Sequence, residues 1–375
     1  MILSKLCWLL LELVLTGLFL SRGSSTALAL AVALLLLPLG SMLLHFLVRK
    51  RLRLHLEVPA NVRKGAGSTA VLVVENPTML PVLRLRCKLF VENRLNGTMS
   101  ELEVDGYVFP KGYRKIPFEI GDTHCGRLAV RAAKLRLYDA LGLFPVTCTV
   151  TAEKAVTVQP DTFVQQLSVL PVSGSPEDSE LFSAYRPGMD LTETFQIREY
   201  VEGDNLRQIH WKLTGKFDRL IVRDPSLPII HSILVFWERT GDSGDLNRID
   251  TQAEVVITLC KTLLDQSMQF TMGWNDTREQ CCVLQAVHDL DELVGLTPRI
   301  LTAKGQKEGI SGAELLMQTL GERQYSHIVY IGEELSGQKL LERLGYVTVL
   351  TCAAAGDGIC FDPWSYEKQL AELAI

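Results

Sequence analysis

The sequence lacks the short motifs that would tie it to a reaction. It has no G-x-x-x-x-G-K-[ST] loop, no G-x-G-x-x-G after a strand, no G-x-S-x-G elbow and no H-E-x-x-H helix. Phosphate-cradling, dinucleotide-binding, acyl-transfer and zinc-protease chemistry are therefore left without their usual residues. Its nine cysteines, from Cys7 to Cys360, are odd in number and scattered, with no C-x-x-C pair, which argues against a disulfide framework or a zinc site and fits a reducing compartment. Basic charge is scarce where a nucleic acid would need it. The net charge is -5, yet residues 1–50 carry Lys5, Arg22, Arg49 and Lys50 against Glu12, a balance of +3 that leaves -8 for the rest.

What is present begins with two apolar runs. Leu6 to Leu20 is apolar except for Glu12 and Thr16, and Ala27 to Val48 is apolar except for Ser41 and His45. The second has about the 20 residues that cross a hydrocarbon core, and the first reaches that length only with residues from Ile2 onward. The expectation is a hairpin of two transmembrane helices, about 2–20 and 27–48, within residues 1–50. A secretory signal peptide is the rival reading of the first run, since Lys5 precedes it and small residues follow it. Arg49, Lys50, Arg51 and Arg53 crowd the end of the second run and place the following chain on the cytoplasmic side of the plasma membrane. Glu12 lies close enough to one end of its segment to reach the interface.

Residues 51–160 read as a β-sandwich. Leu54–Val58, Ala70–Val74, Val82–Val91 and Arg127–Val130 are runs of β-formers, several alternating apolar with polar, and Asn76-Pro77, Asn96-Gly97, Gly112 and Gly121-Asp122 cut them. An immunoglobulin-like sandwich is the economical fold.

The stretch from Tyr185 to Pro225 then mixes charge, glycine and aromatic residues more densely than any other. Glu193–Tyr200 alternates as a strand, Asp204 is a good cap for a helix over 205–215, and Arg219–Arg223 returns as a strand. Six cations and four acids between Arg198 and Arg223 either pair among themselves or hold an anionic group. An enzyme using Glu199, Asp204 and His210 is a further alternative, carried only by this charge cluster.

From Ile229 strands and helices alternate, which implies a mainly parallel sheet with both faces covered. Strands are expected at Ile229–Trp237, Gln269–Trp274, His327–Ile331 and Tyr346–Leu350. Helices are expected at Arg248–Gln266, Ala313–Glu322, Gly337–Leu344 and Tyr366–Leu373.

The residues Arg198-Glu199-Tyr200, Gly203-Asp204, Arg207, Ile209, Trp211-Lys212, Arg219 and Arg223 form a pattern that resembles the signature of the domain-of-unknown-function 58 family. The resemblance covers nearly the whole chain. It implies an α/β domain of the von Willebrand factor A type over 229–375, joined to the sandwich by a signature segment over 161–228. It also implies a MoxR-type AAA+ ATPase as protein partner, with transglutaminase-like membrane proteins as neighbours. Domains of that type often hold a divalent metal in an Asp-x-Ser-x-Ser loop after their first strand. Here Glu238, Thr240 and Asp242 occupy that place, with Arg239 among them, so Mg²⁺ is the one cofactor to consider in a chain otherwise expected to carry none. The resulting expectation is a membrane-anchored, non-enzymatic scaffold. A metal-dependent binding module is the alternative.

Overall fold

The computed structural model describes residues 2–138, 143, 145–169, 190–201, 209–217, 219–226, 233–321, 325–333, 337–352 and 358–375, with the side chains of 2–4, 190–197 and 223–226 outside that description. The chain divides into two compact units, Met1–Asp161 with Thr297–Lys304, and Thr162–Leu296 with Gly305–Ile375.

The first unit opens with helices α1 (Ile2–Arg22) and α2 (Ser25–Val48). Of the two, α2 alone is long and apolar enough to cross a membrane, with a mean hydropathy of 2.5. The expected pair of spans is thus corrected to one candidate. In α1 the apolar run from Leu6 to Leu20 reaches only about 22 Å at 1.5 Å per residue, short of a ~30 Å core, and Glu12 sits inside it.

Eight strands follow: β1 (Arg53–Glu57), β2 (Asn61–Arg63), β3 (Thr69–Asn76), β4 (Val82–Asn93), β5 (Met99–Val108), β6 (Gly112–Glu119), β7 (Gly126–Tyr138) and β8 (Pro145–Gln159). They make a three-stranded sheet, β1-β3-β6, and a five-stranded sheet, β2-β8-β7-β4-β5. The second sheet is mixed, because β2 runs parallel to β8 while the other pairings are antiparallel. Alternation along β4 sends Leu85, Cys87, Leu89 and Val91 inward, where they meet Leu72 and Val74 of β3 in a shared core. Val48, the last residue of α2, belongs to the same core, so the helix end and the sandwich are packed as one body. Cys125 is buried, and its carbonyl accepts a hydrogen bond from Asn93 Nδ2 at 3.0 Å.

After Asp161 the chain forms β9 (Gln166–Ser168), β10 (Asp190–Glu199), α3 (Trp211–Phe217), β11 (Ile221–Ser226), β12 (Ile233–Trp237), α4 (Leu246–Asp265), β13 (Phe270–Asp276), β14 (Cys281–Val287), α5 (Leu290–Ile300), α6 (Gly312–Leu320), β15 (His327–Gly332), α7 (Gln338–Leu341), β16 (Tyr346–Thr351), β17 (Ile359–Cys360), α8 (Tyr366–Gln369) and β18 (Glu372–Ala374), all in the second unit except the end of α5 from Thr297. Its main sheet has the order β14-β13-β12-β15-β16-β17. This sheet is mixed, because β14 runs antiparallel to β13 at one edge while the pairings from β13 to β17 are parallel. Every residue of β12 and β15 is buried, as expected of strands covered on both faces. The helix α4 starts on Asp245, whose side chain accepts from Asn247 N at 3.0 Å as an N-cap, and buries Val256, Leu259 and Leu263.

The last helix differs from expectation. Only Tyr366–Gln369 is helical, and the next residues form β18, which pairs in parallel with β9. The apolar residues there, Leu370, Leu373 and Ile375, are buried.

Candidate functional site

In an open α/β sheet, ligands bind outside the carboxyl ends of the strands, where the strand order reverses. The reversal here falls at β12, which has β13 on one side and β15 on the other. The chain leaving β12 is Glu238-Arg239-Thr240-Gly241-Asp242, the segment singled out for a metal.

That crevice is filled by the protein's own groups. Glu238 is buried, and its carboxylate accepts from Thr240 N at 2.9 Å, Gly312 N at 3.1 Å, Tyr330 Oη at 2.8 Å and Ser311 Oγ at 3.4 Å. Burial, and then the nearby Glu238 charge, push the Tyr330 phenol well above its usual value, so it stays a donor. The same two causes push the Cys282 thiol up to about 12. Thr240 Oγ1 donates to Ile310 O at 3.0 Å and accepts from Asn275 Nδ2 at 2.8 Å.

Arg239 is 0% exposed. Its guanidinium donates to Asp242 Oδ2 at 2.8 Å and to Gln252 Oε1 at 3.3 Å, and it lies 4.4 Å from the ring centroid of Trp237. The other Asp242 oxygen accepts from Gly244 N at 2.9 Å. A cation of this chain thus occupies the company that a bound metal would keep. The donor set does not fit a divalent ion, because the oxygens of Glu238, Thr240 and Asp242 already receive N–H, O–H or guanidinium donors. Among the described residues no group of three or more His, Cys, Asp or Glu side chains is placed to hold a metal.

Glycines let these groups approach. A Cβ on Gly312 would stand 2.8 Å from both Glu238 oxygens, and one on Gly305 would stand 1.9 Å from Asp242 Oδ2. Next to this cluster, Glu333 accepts from Ser243 N and Oγ at 2.9 Å each and pairs with Arg248, whose charge it stabilises and whose pKa it raises. The loop after β12 is therefore fastened on two sides.

The signature residues lie elsewhere in this unit. β10 and β11 pair antiparallel, with Arg198 opposite Val222 and Glu199 opposite Ile221. Tyr200 N donates to Leu220 O at 3.0 Å and His210 N to Ile221 O at 2.8 Å, which lays the start of α3 against β11. Ile209, Ile221 and Val222 are buried beneath. Arg219 pairs with Glu199, both side chains being well exposed, so these two expected charges meet each other. Trp211 is 68% exposed, Lys212 is exposed, and Phe217 and Leu220 also face solvent. Gly203, Asp204 and Arg207 lie outside the described residues, as does the side chain of Arg223. Of the three groups weighed for catalysis, Glu199 pairs with Arg219, and His210 Nδ1 accepts from Leu213 N at 3.4 Å.

Sequence reasoning missed Gln252, Asn275, Ser311, Tyr330 and Glu333. The buried polar cluster comes from strand ends and loops far apart in the chain, and the only signal for it was the glycine-rich run Gly305–Gly312.

No protein-family model matches the chain. No curated protein matches it either. Among solved structures it has immunoglobulin-like CARDB neighbours. A CARDB domain from Pyrococcus furiosus, solved in complex with di-metal ions, is 17% identical over 28% of this chain and 86% of that one, with a TM-score of 0.21. A PapD-like domain of human CEP192 is 11% identical over 28% of this chain and 85% of that one, with a TM-score of 0.18. At such scores these similarities carry no argument about function.

Proposed function

We propose that this chain is a membrane-anchored scaffold and not an enzyme, presenting its C-terminal α/β unit to a protein partner. The observation that carries the reading is the closed crevice at β12, where Glu238 takes four hydrogen bonds from its own unit and Arg239 is spent on Asp242. A surface is left to do the work, and the exposed Trp211, Phe217, Leu220 and Arg219 around α3 and β11 supply one, aromatic and charged as recognition surfaces are. In this reading α2 is the anchor, and the cations Arg49, Lys50, Arg51 and Arg53 after it support a cytoplasmic side of the plasma membrane for the chain that follows. The partner we propose is a MoxR-type AAA+ ATPase, with transglutaminase-like membrane proteins as neighbours. That choice rests on the resemblance of the signature residues to the domain-of-unknown-function 58 family, with its A-type C-terminal domain.

Affinity purification of the full chain from native membranes tests this. The wild type should bring down the ATPase, and Arg219→Glu, which sets a like charge against Glu199 on an exposed surface, should lose it while keeping its thermal unfolding midpoint. Retention of the ATPase by the folded variant refutes the assigned surface, and its absence from the wild-type eluate refutes the partner.

A further inference from the structure

The end of α2 is buried on one side by the sandwich. Val48 is within the core, and His45, one turn earlier, is 7% exposed. Beside them runs a groove of about 480 Å³, walled by Leu37, Gly40, Leu44 and His45 of the helix and by Leu80 and Leu83 of the sandwich. Nothing lies within 4 Å of where a Gly40 side chain would begin, so the groove is open there. Its walls are apolar except for Ser41 and His45. His45 Nδ1 bonds to Ser41 O at 2.7 Å, and the other ring nitrogen, Nε2, is buried with no hydrogen-bond partner. With Nδ1–H donating to that carbonyl, Nε2 of the neutral ring is an acceptor that lacks a donor.

The depth of the groove follows from the helix. About 20 residues cross a hydrocarbon core, and counted from Ser25 they end near Leu44. Leu37 to Val48 covers about 16 Å of helix, so the groove straddles the boundary between acyl chains and headgroups. The sandwich turns at this boundary are apolar outside as well as inside. Asn76 Nδ2 joins them by donating to Leu80 O at 2.7 Å and Phe109 O at 3.3 Å, and Met79, Leu83 and Phe109 are exposed. Exposed side chains of this kind belong against lipid rather than water. The next residues of the chain, Arg49 and Lys50, line a second hollow of about 600 Å³ with Thr147 and Thr149, and Arg51 and Arg53 follow.

We propose that this groove binds an anionic phospholipid of the phosphatidylglycerol type. One acyl chain lies between Leu44 and Leu83, the phosphate meets Arg49 and Lys50, and a headgroup hydroxyl donates to His45 Nε2. Basic residues alone would attract any anionic surface diffusely. An apolar slot with an unmet acceptor at headgroup depth makes the contact saturable and selective. The inference rests on α2 as a membrane span and is independent of the ATPase and of the α3 surface.

The full chain, extracted and depleted of lipid in detergent, is titrated with dioleoylphosphatidylglycerol or dioleoylphosphatidylcholine and followed by native mass spectrometry. One phosphatidylglycerol per chain should be retained at least ~10-fold more readily than phosphatidylcholine. Arg49→Gln with Lys50→Gln should erase that preference, and Leu83→Asp, exposed and therefore harmless to folding, should abolish retention of both lipids. Equal retention of the two lipids by the wild type, or unchanged preference in either variant, overturns the proposal. Alkaline carbonate washing of membranes separates the two possible failures. Release of the chain refutes the span, whereas an integral chain without lipid preference refutes the lipid site alone.

Discussion

Replacing Arg239 by Met tests whether the protein supplies its own cation at the β12 crevice. Met keeps much of the side chain's length and its contact with Trp237, and removes the charge. Asp242 would then be a buried carboxylate that keeps its hydrogen bond from Gly244 N but has lost its cation, while Gln252 would lose one donor to its oxygen. Breaking a buried pair by deleting one partner costs about 3–5 kcal/mol, because the orphaned charge must stay desolvated. For a domain of roughly 200 residues, each kcal/mol lowers the melting temperature by about 2–4 °C, so the C-terminal unit should melt some 6–20 °C lower. Trp237 packs against the guanidinium and bonds Gln252 Oε1 through Nε1 at 3.0 Å, so tryptophan fluorescence during thermal unfolding of the full chain in detergent reports on the same place. The double variant Arg239→Met with Asp242→Leu removes both charges and should recover at least half of the loss, as apolar replacements of buried pairs commonly do. A single variant that costs less than about 1 kcal/mol would show that Arg239 is not the counter-ion of Asp242. A double variant no better than the single one would place the loss in packing instead.

The same crevice predicts that EDTA, or added millimolar Mg²⁺ or Mn²⁺, moves the wild-type melting temperature by less than about 1 °C, since a ligand stabilises only the state that binds it. A clear cation-dependent rise in a thermal scan would contradict the internal saturation of Glu238. Gly337→Ala should destabilise the C-terminal unit by about 1–3 kcal/mol in chemical denaturation, because its Cβ would stand 2.0 Å from that of Ala313 on α6. An alkaline titration should reveal the thiols that the fold shields, Cys87 and Cys352 buried and Cys282 partly so. Burial raises Cys87, Cys282 and Cys352 from 9.0 to about 12, so the unfolded chain ionises first. Stability should hold below pH 9 and fall between pH 9 and pH 12, by about 1.4 kcal/mol per pH unit for each thiol. Cys87→Ala should remove one such increment from the slope for the sandwich, and an unchanged slope would refute its burial.

How far these features were readable from sequence depended on how far apart their parts lie. The strands β12 and β15 are continuous apolar runs and announce themselves, as does α4 with its apolar face. The strand β14 did not, because Cys281–Gln285 is half exposed at a sheet edge and shows no clean period of two. Nor did α5, whose Gly295 and Pro298 read as breakers although Leu293, Leu296 and Ile300 are buried at helical spacing. At the membrane end, two apolar runs suggested two spans, whereas α2 alone is both long and apolar enough to cross. The crevice shows the sharper limit. Glu238, Arg239, Thr240 and Asp242 are adjacent and could be picked out, and Arg239 could be seen as an intruder in a metal loop. Its meaning required Gln252 on α4, Asn275 from β13 and Tyr330 from β15, which only the sheet order brings together. An intruding cation beside a carboxylate reads in sequence as damage to a metal site. In the fold Arg239 is a buried partner of Asp242, its desolvation offset by Asp242 and Trp237, and the carboxylate of Glu238 is met by donors from strand, loop and helix. The loop after β12 is thus tied down by the chain's own groups, Glu238 on one side and Asp242 on the other.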